Sequence, residues 1–218
     1  MNSTQLLAEA YRPILGRAER VDEEEGWFAT QLPGWTVRDL LFHLASDCQR
    51  ALVAFSTPSA EEPDTDEITY WSRWKPGGEA AQSGLRGTRI IASVWSSVRG
   101  PAELYMETAQ AVLHAAANSD PDAVVVTQNR RMRVDSLLRT LAVEAAVHHL
   151  DLEQVLPHPP AAPVLKEVRR VLDGLLGESA PEAWQDIRYI RIGTGRLPLN
   201  QDEHEILGPL ADRLPLFG

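Results

Sequence analysis

The chain has 218 residues, of which 44% are hydrophobic and 24% charged, and its formal net charge at pH 7 is -10. This length fits one domain with, at most, a smaller extension, and the composition is that of an ordinary globular protein. The negative charge argues against nucleic acid and anionic membranes as partners. A single cysteine rules out an intrachain disulfide. Because neither a signal peptide nor a membrane-spanning apolar run is recognisable, we expect a cytoplasmic protein.

The first two helices are predicted by the spacing of their apolar residues. A helix is expected over residues 3–21, where Pro13 marks either a kink or the true start. Thr36 and Asp39 have the spacing of a capping box, which predicts that a second helix begins there and covers residues 36–55.

A long connection follows the second helix. Residues 56–87 are rich in proline, glycine, serine and acidic side chains, which favours a loop over a core element. Loops of this length often act as lids over functional sites. Trp71 and Trp74 lie within it, and disordered segments are usually poor in aromatic residues. We therefore expect partial order, with both tryptophans covering a substrate cleft.

Two further helices are predicted to complete a bundle. The first covers residues 88–117, with Gly100 and Pro101 as a break in its middle. Short apolar runs within residues 124–134 flank a polar turn and predict a hairpin or an extended loop. The fourth helix is expected over residues 135–156, where a cluster of prolines ends it.

The remaining residues are predicted to form a small extension. A helix over residues 163–176 is followed by a strand over residues 187–192, and Asn200 caps a last helix. We therefore predict a mainly α fold. An up-and-down four-helix bundle occupies residues 1–156, and a small α/β C-terminal extension occupies residues 157–218.

The fourth helix carries two ionisable residues where its apolar face should be. Its core face is defined by aliphatic side chains at a helical period: Leu137, Leu141, Leu152 and Val155. With Leu137 set at zero and 100° per residue, Glu144 falls at about -20° and His148 at about 20°. A carboxylate on a buried face is costly unless it is paired or bound to a metal.

The spacing of these two residues points to a metal site. Side chains four residues apart stack on one helix face, so Glu144 and His148 can bind the same ion, as the two histidines of HExxH enzymes do. His43 on the second helix is the best candidate for a third ligand. Asp47 is an alternative ligand or a partner that orients one, and Asp151 can orient an imidazole. From the residues alone, an ordinary buried Glu–His ion pair remains the alternative.

Two segments resemble a known family. Residues 34–44, GWTVRDLLFHL, resemble a motif of the mycothiol-dependent maleylpyruvate isomerase N-terminal domain family, which belongs to the DinB-like superfamily. Residues 139–152 look like its second motif, with Glu144, His148 and Asp151 at the matching positions. The tail segment 195–199 is similar to the C-terminal stretch of shorter members. With the order of helices, the resemblance covers about residues 1–156.

The resemblance implies a DinB-like bundle that holds one divalent ion, with zinc favoured, between His43, Glu144 and His148. It also implies mycothiol or a similar small thiol as cosubstrate and an electrophile as its partner. An open coordination position would bind the thiol, and the thiolate would attack an activated double bond. Since the extension is shorter than the C-terminal part of the isomerase, we expect an S-transferase or another substrate rather than that isomerase.

Other functions are compatible with the same residues. A non-catalytic module would hold a metal or a ligand without turnover. A metal-dependent hydrolase would use the ion to activate water. Zn²⁺, Ni²⁺, Co²⁺ and Fe²⁺ all suit nitrogen and oxygen ligands, and the protein is expected to be a monomer or a homodimer.

Overall fold

The computed structural model describes residues 1–74 and 78–218. Its helices, in chain order, are α1 (Ser3–Ala18), α2 (Glu23–Gly26), α3 (Val37–Phe55), α4 (Glu79–Ala92), α5 (Arg99–Ala117), α6 (Val134–Asp151), α7 (Ala162–Leu176), α8 (Asp186–Gly193) and α9 (Gln201–Leu207). Short 3₁₀ segments cover Thr69–Arg73 and Gly208–Arg213. The strands within the described residues are β1 (Pro58–Ser59), β2 (Val124–Thr127) and β3 (Arg130–Arg133). None of these described helices is long and apolar enough to cross a membrane.

Four long helices form the bundle. α1 packs against α5 and α6, and α3 packs against the same two helices. Their apolar faces enclose one continuous hydrophobic core, to which α7 also contributes. The mainly α bundle with a small C-terminal extension is therefore confirmed. The division of the chain at residue 156 stays a prediction.

Capping boxes begin the two helices that the sequence predicted first. Asn2 caps α1, and Pro13 lies inside that helix, so Pro13 does not mark its start. In α3, the carboxylate of Asp39 accepts hydrogen bonds from the backbone N–H of Thr36 at 2.9 Å and from its hydroxyl at 2.8 Å. These bonds satisfy groups that the first helical turn leaves unpaired, and they fix the start of the helix that carries His43.

The predicted third helix is two helices in the structure. α4 already begins within the predicted loop, and the break falls at residues 93–98 instead of at Gly100 and Pro101. Both of these residues lie in the first turn of α5, where proline needs no hydrogen-bonded N–H. A Cβ atom at position 100 would lie only 1.8 Å from Cδ1 of Trp95. The indole of Trp95 can therefore pack here only because residue 100 is a glycine. Residues 75–77 of the predicted loop lie outside the described residues.

The predicted hairpin is present and forms two strands of a sheet with the order β1-β2-β3, antiparallel throughout. Its two-residue turn, Gln128 and Asn129, has positive φ at both positions, as in the tight turns that match the twist of a hairpin. Beside the turn, the guanidinium of Arg130 donates a 2.6 Å hydrogen bond to the carbonyl of Tyr70. The hairpin thus holds the 3₁₀ segment that carries Trp71.

The extension differs from the prediction in one element. The strand expected over residues 187–192 is wrong, because these residues lie in α8. Tyrosine and isoleucine favour strands, but a helix buries Tyr189, Ile190 and Ile192 together while Gly193 packs on Leu172 of α7. Tertiary packing therefore overrides local preference, and residues 157–218 are helical without a strand.

The only cysteine is a core residue. Cys48 is 1% exposed, and its thiol donates a hydrogen bond to the hydroxyl of Tyr11 at 3.4 Å. Burial raises the pKa of the thiol to about 11, so Cys48 stays protonated at neutral pH.

Replacement of Asp39 tests the start of α3. We expect Asp39→Ala to lower the free energy of unfolding by about 1 kcal/mol, because two hydrogen bonds to the helix start are lost. Urea denaturation measures this change. Asp202→Ala, which removes an exposed acidic side chain from the first turn of α9, should stay within about 0.5 kcal/mol of the parent protein. Equal effects of the two variants would contradict the assignment.

Candidate metal centre

The structure brings together the three residues that the sequence analysis proposed as ligands. His43 projects from α3, and Glu144 and His148 project from one face of α6. Glu144 Oε1 lies 3.1 Å from His43 Nε2 and 3.3 Å from His148 Nε2. One donor atom from each residue can be chosen so that all three lie within 4.8 Å of one another.

This donor set fits a divalent ion. Tetrahedral coordination at about 2.0–2.1 Å separates neighbouring donor atoms by roughly 3.3 Å, close to the two measured separations. Two imidazole nitrogens and one carboxylate oxygen are ligands that zinc and similar metals accept, and three protein ligands leave one coordination position for a small molecule. The same atoms also form hydrogen bonds to one another, so the ion pair and the metal site share one geometry.

The electrostatics of the cluster are dominated by burial and by mutual contacts. Burial lowers the pKa of His43. Burial alone would raise the pKa of Glu144, but hydrogen bonds with His148 and His43 hold it well below its ordinary value. Burial likewise opposes the charged form of His148, yet its contacts with Asp151 and Glu144 raise its pKa. The carboxylate is therefore ionised, as a metal ligand must be.

A second carboxylate contacts the remote nitrogen of His148. Asp151 Oδ2 lies 2.9 Å from His148 Nδ1, which leaves Nε2 directed at Glu144. The side chain of Asp151 is only 1% exposed, and the guanidinium of Arg196 donates hydrogen bonds to both of its oxygens. This arrangement fixes the orientation of the imidazole, as carboxylates commonly do for metal-binding histidines.

Asp47 lies beside His43, one turn further along α3. Its Oδ2 is 3.4 Å from His43 Nε2, is fully buried and forms no hydrogen bond with the described residues. Its Oδ1 pairs with Arg50, one turn further along α3. Asp47 therefore adjoins one ligand nitrogen and is not part of the compact group formed by His43, Glu144 and His148.

The cluster opens into a cavity of about 350 Å³, within the size range of small-molecule sites. Both proposed cover residues line it. Trp71 is 4% exposed and stacks on Phe217, with ring centroids 4.4 Å apart, whereas Trp74 is 43% exposed. Trp35 contributes another wall, with its ring centroid 5.2 Å from that of His43. The cavity thus combines aromatic walls with the polar donor cluster.

The sequence analysis did not identify several polar residues that line the cavity, among them Arg50, Tyr70 and Arg196. Burial raises the pKa of Tyr70 to about 12, so its hydroxyl remains a hydrogen-bond donor at neutral pH. A buried Asp151 did imply that some cation lies nearby. The sequence singled out segment 195–199 only for its similarity to shorter family members and did not place Arg196 beside Asp151, because the contact joins residues far apart in the chain.

Comparison with known proteins identifies one family. Residues 7–153 match the family described as mycothiol maleylpyruvate isomerase N-terminal domain, in agreement with the resemblance found in the sequence. No curated protein and no solved structure gives a significant match. The match covers the bundle and both segments of the donor cluster, and it ends before Arg196.

Substitution of the two cover tryptophans tests this cavity wall. We expect Trp71→Ala to lower the free energy of unfolding by about 3–5 kcal/mol, because it removes a buried ring from its stack. Trp74→Ala should change it by about 0.5 kcal/mol or less, since the ring is largely exposed. Chemical denaturation of both variants makes the comparison. Similar losses in the two would mean that Trp71 is not packed as described.

Proposed function

Because the chain belongs to the mycothiol maleylpyruvate isomerase N-terminal domain family, we propose that it is a divalent-metal enzyme that uses a low-molecular-weight thiol. The observation that carries this proposal is the cluster of His43, Glu144 and His148 at the wall of a cavity. We propose these three residues as the ligands, zinc as the metal, and mycothiol or a similar thiol as the cosubstrate.

Different residues of the chain would have different roles in such a reaction. His43, Glu144 and His148 would hold the ion, and Asp151 keeps the His148 ring in place. When bound, the ion supplies Lewis acidity that favours the thiolate form of a thiol at neutral pH. The aromatic walls would limit the contact of the reacting groups with water and leave room for an apolar electrophile. The hydroxyl of Tyr70 donates a 3.4 Å hydrogen bond to Gln128 Oε1, and it could instead donate to an oxygen of that electrophile.

Of the two reaction types, we propose S-transfer. The thiolate sulfur would form a carbon–sulfur bond as the π bond of the activated double bond breaks, the neighbouring carbon would take up a proton, and the adduct would be released as the product. In an isomerase, the adduct would instead rotate about the former double bond and expel the thiol. We also propose that the protein acts in the cytoplasm as a monomer or a homodimer, without nucleic acid or a membrane as partner.

A metal-dependent hydrolase is the second candidate, and one observation favours it. The Oδ2 of Asp47 is buried, lacks a hydrogen-bond donor among the described residues and adjoins His43 Nε2. If His43, Glu144 and His148 held an ion, this carboxylate oxygen could accept a hydrogen bond from a water molecule that the ion activates. A non-catalytic binding module is the outcome if a metal and a thiol bind but neither reaction is found.

Elemental analysis of the purified protein tests the metal site. We expect about one divalent ion per chain after removal of metal with a chelator and reconstitution with zinc. His43→Ala and the double variant Glu144→Ala/His148→Ala should lose it, because each lacks ligands that the site requires. His114→Ala, which removes an exposed histidine of α5, should retain it. A parent protein without metal after reconstitution would refute the proposed enzyme.

A thiol assay distinguishes the candidate reactions. We expect the zinc-loaded protein to accelerate the addition of a thiol such as mycothiol to an electrophile, and the metal-free protein to be inactive. Disappearance of free thiol and mass spectrometry of the adduct measure the transfer. Ester or amide cleavage without thiol consumption would favour the hydrolase. Thiol binding without either reaction would favour the binding module.

A further inference from the structure

Arg196 connects the extension to the centre of the bundle. It follows α8, beyond the residues that match the family, and its side chain is only 9% exposed. Its Nε donates to Asp151 Oδ1 at 3.2 Å, and its Nη2 donates to Asp151 Oδ2 at 2.9 Å. A third bond, from Nη1 to the carbonyl of Thr194 at 2.8 Å, ties the guanidinium to its own loop. Such a two-pronged pair fixes both the distance and the relative orientation of the guanidinium and the carboxylate.

Asp151 links Arg196 to His148, because it contacts both side chains. Oδ2 of Asp151 receives the bond from Arg196 and also lies 2.9 Å from His148 Nδ1. A carboxylate that is 1% exposed needs a compensating charge, and Arg196 supplies it from outside the bundle. Without Arg196, Asp151 would be free to turn towards water, and this change would release the imidazole.

We propose that Arg196 is a positioning residue of the metal centre, so that the helical extension and the metal are thermodynamically coupled through Asp151 and His148. The proposal rests on the metal site proposed above. By the reciprocity of linked equilibria, a metal that binds more tightly when the extension is docked also stabilises the docked extension. The extension thus contributes to metal affinity without supplying a ligand.

Other arginines of the extension provide a matched control. Arg188 forms a two-pronged ion pair with Glu203, and both residues lie within the extension. That pair fastens α8 to α9 and has no contact with Asp151 or His148 among the described hydrogen bonds. Loss of Arg188 therefore disturbs the extension alone, whereas loss of Arg196 also removes the contact to the metal centre.

Cobalt binding to the full chain tests the proposal. The visible absorption of Co²⁺ reports on coordination, and competition with a chelator gives the affinity. We expect Arg196→Ala and Asp151→Asn each to weaken Co²⁺ binding roughly 10–100-fold, and Arg188→Ala to change it by about twofold or less. The double variant Arg196→Ala/Asp151→Asn should be no weaker than the worse single variant, because both act through one contact. Arg196→Lys should recover part of the affinity.

Hydrogen exchange of residues 157–218 provides a second readout. In the parent protein, Zn²⁺ should slow exchange in the extension as well as in α3 and α6, and in Arg196→Ala it should slow exchange in α3 and α6 but not in the extension. Unchanged Co²⁺ affinity in a folded Arg196→Ala protein would overturn the inference while the metal site stands, as would an equal loss in Arg188→Ala. A parent protein without metal would overturn both. Metal binding without thiol chemistry would overturn only the proposed reaction.

Discussion

The rest of the structure depends on one constraint, which is that a carboxylate and two imidazoles lie within an otherwise apolar face of the bundle. Such groups must be satisfied by one another or by an ion. Glu144 contacts both His43 and His148 through one oxygen. His148 engages Asp151, and Asp151, itself buried, engages Arg196. Each of these charged groups is therefore paired with the next, and the last partner, Arg196, lies in the extension.

Elements that depend on local pattern were predictable from the sequence. Helical periodicity and a capping box located α3, and the position of Glu144 on the core face of α6 marked it as an anomaly. Contacts between distant segments were not predictable in this way. Arg196 reaches Asp151 only when the chain is folded. The helix over Asp186–Gly193 forms because it buries apolar side chains that by themselves favour a strand. The break before α5 likewise reflects the packing of Trp95 on Gly100.

The residues that line the cavity come from several segments, among them the bundle helices, the connection between α3 and α4, and the end of the chain. The bundle helices carry the proposed ligands on rigid backbone. The connection between α3 and α4 supplies Trp71, which Arg130 of the hairpin holds through the carbonyl of the preceding residue. Phe217, beyond the last helix, stacks on the indole of Trp71. Variation in these connections would change the cavity walls without disturbing the ligands, as is common where loops surround a rigid scaffold.

The burial of Cys48 would have a consequence for the proposed reaction with an electrophile. A reactive electrophile alkylates whichever thiolate it meets first, and the thiol of Cys48 is both inaccessible and protonated at neutral pH. The chain has no other cysteine. If the protein has the proposed activity, an electrophile in the cavity meets no reactive cysteine thiolate of the chain, so alkylation of its own cysteine would not inactivate the protein.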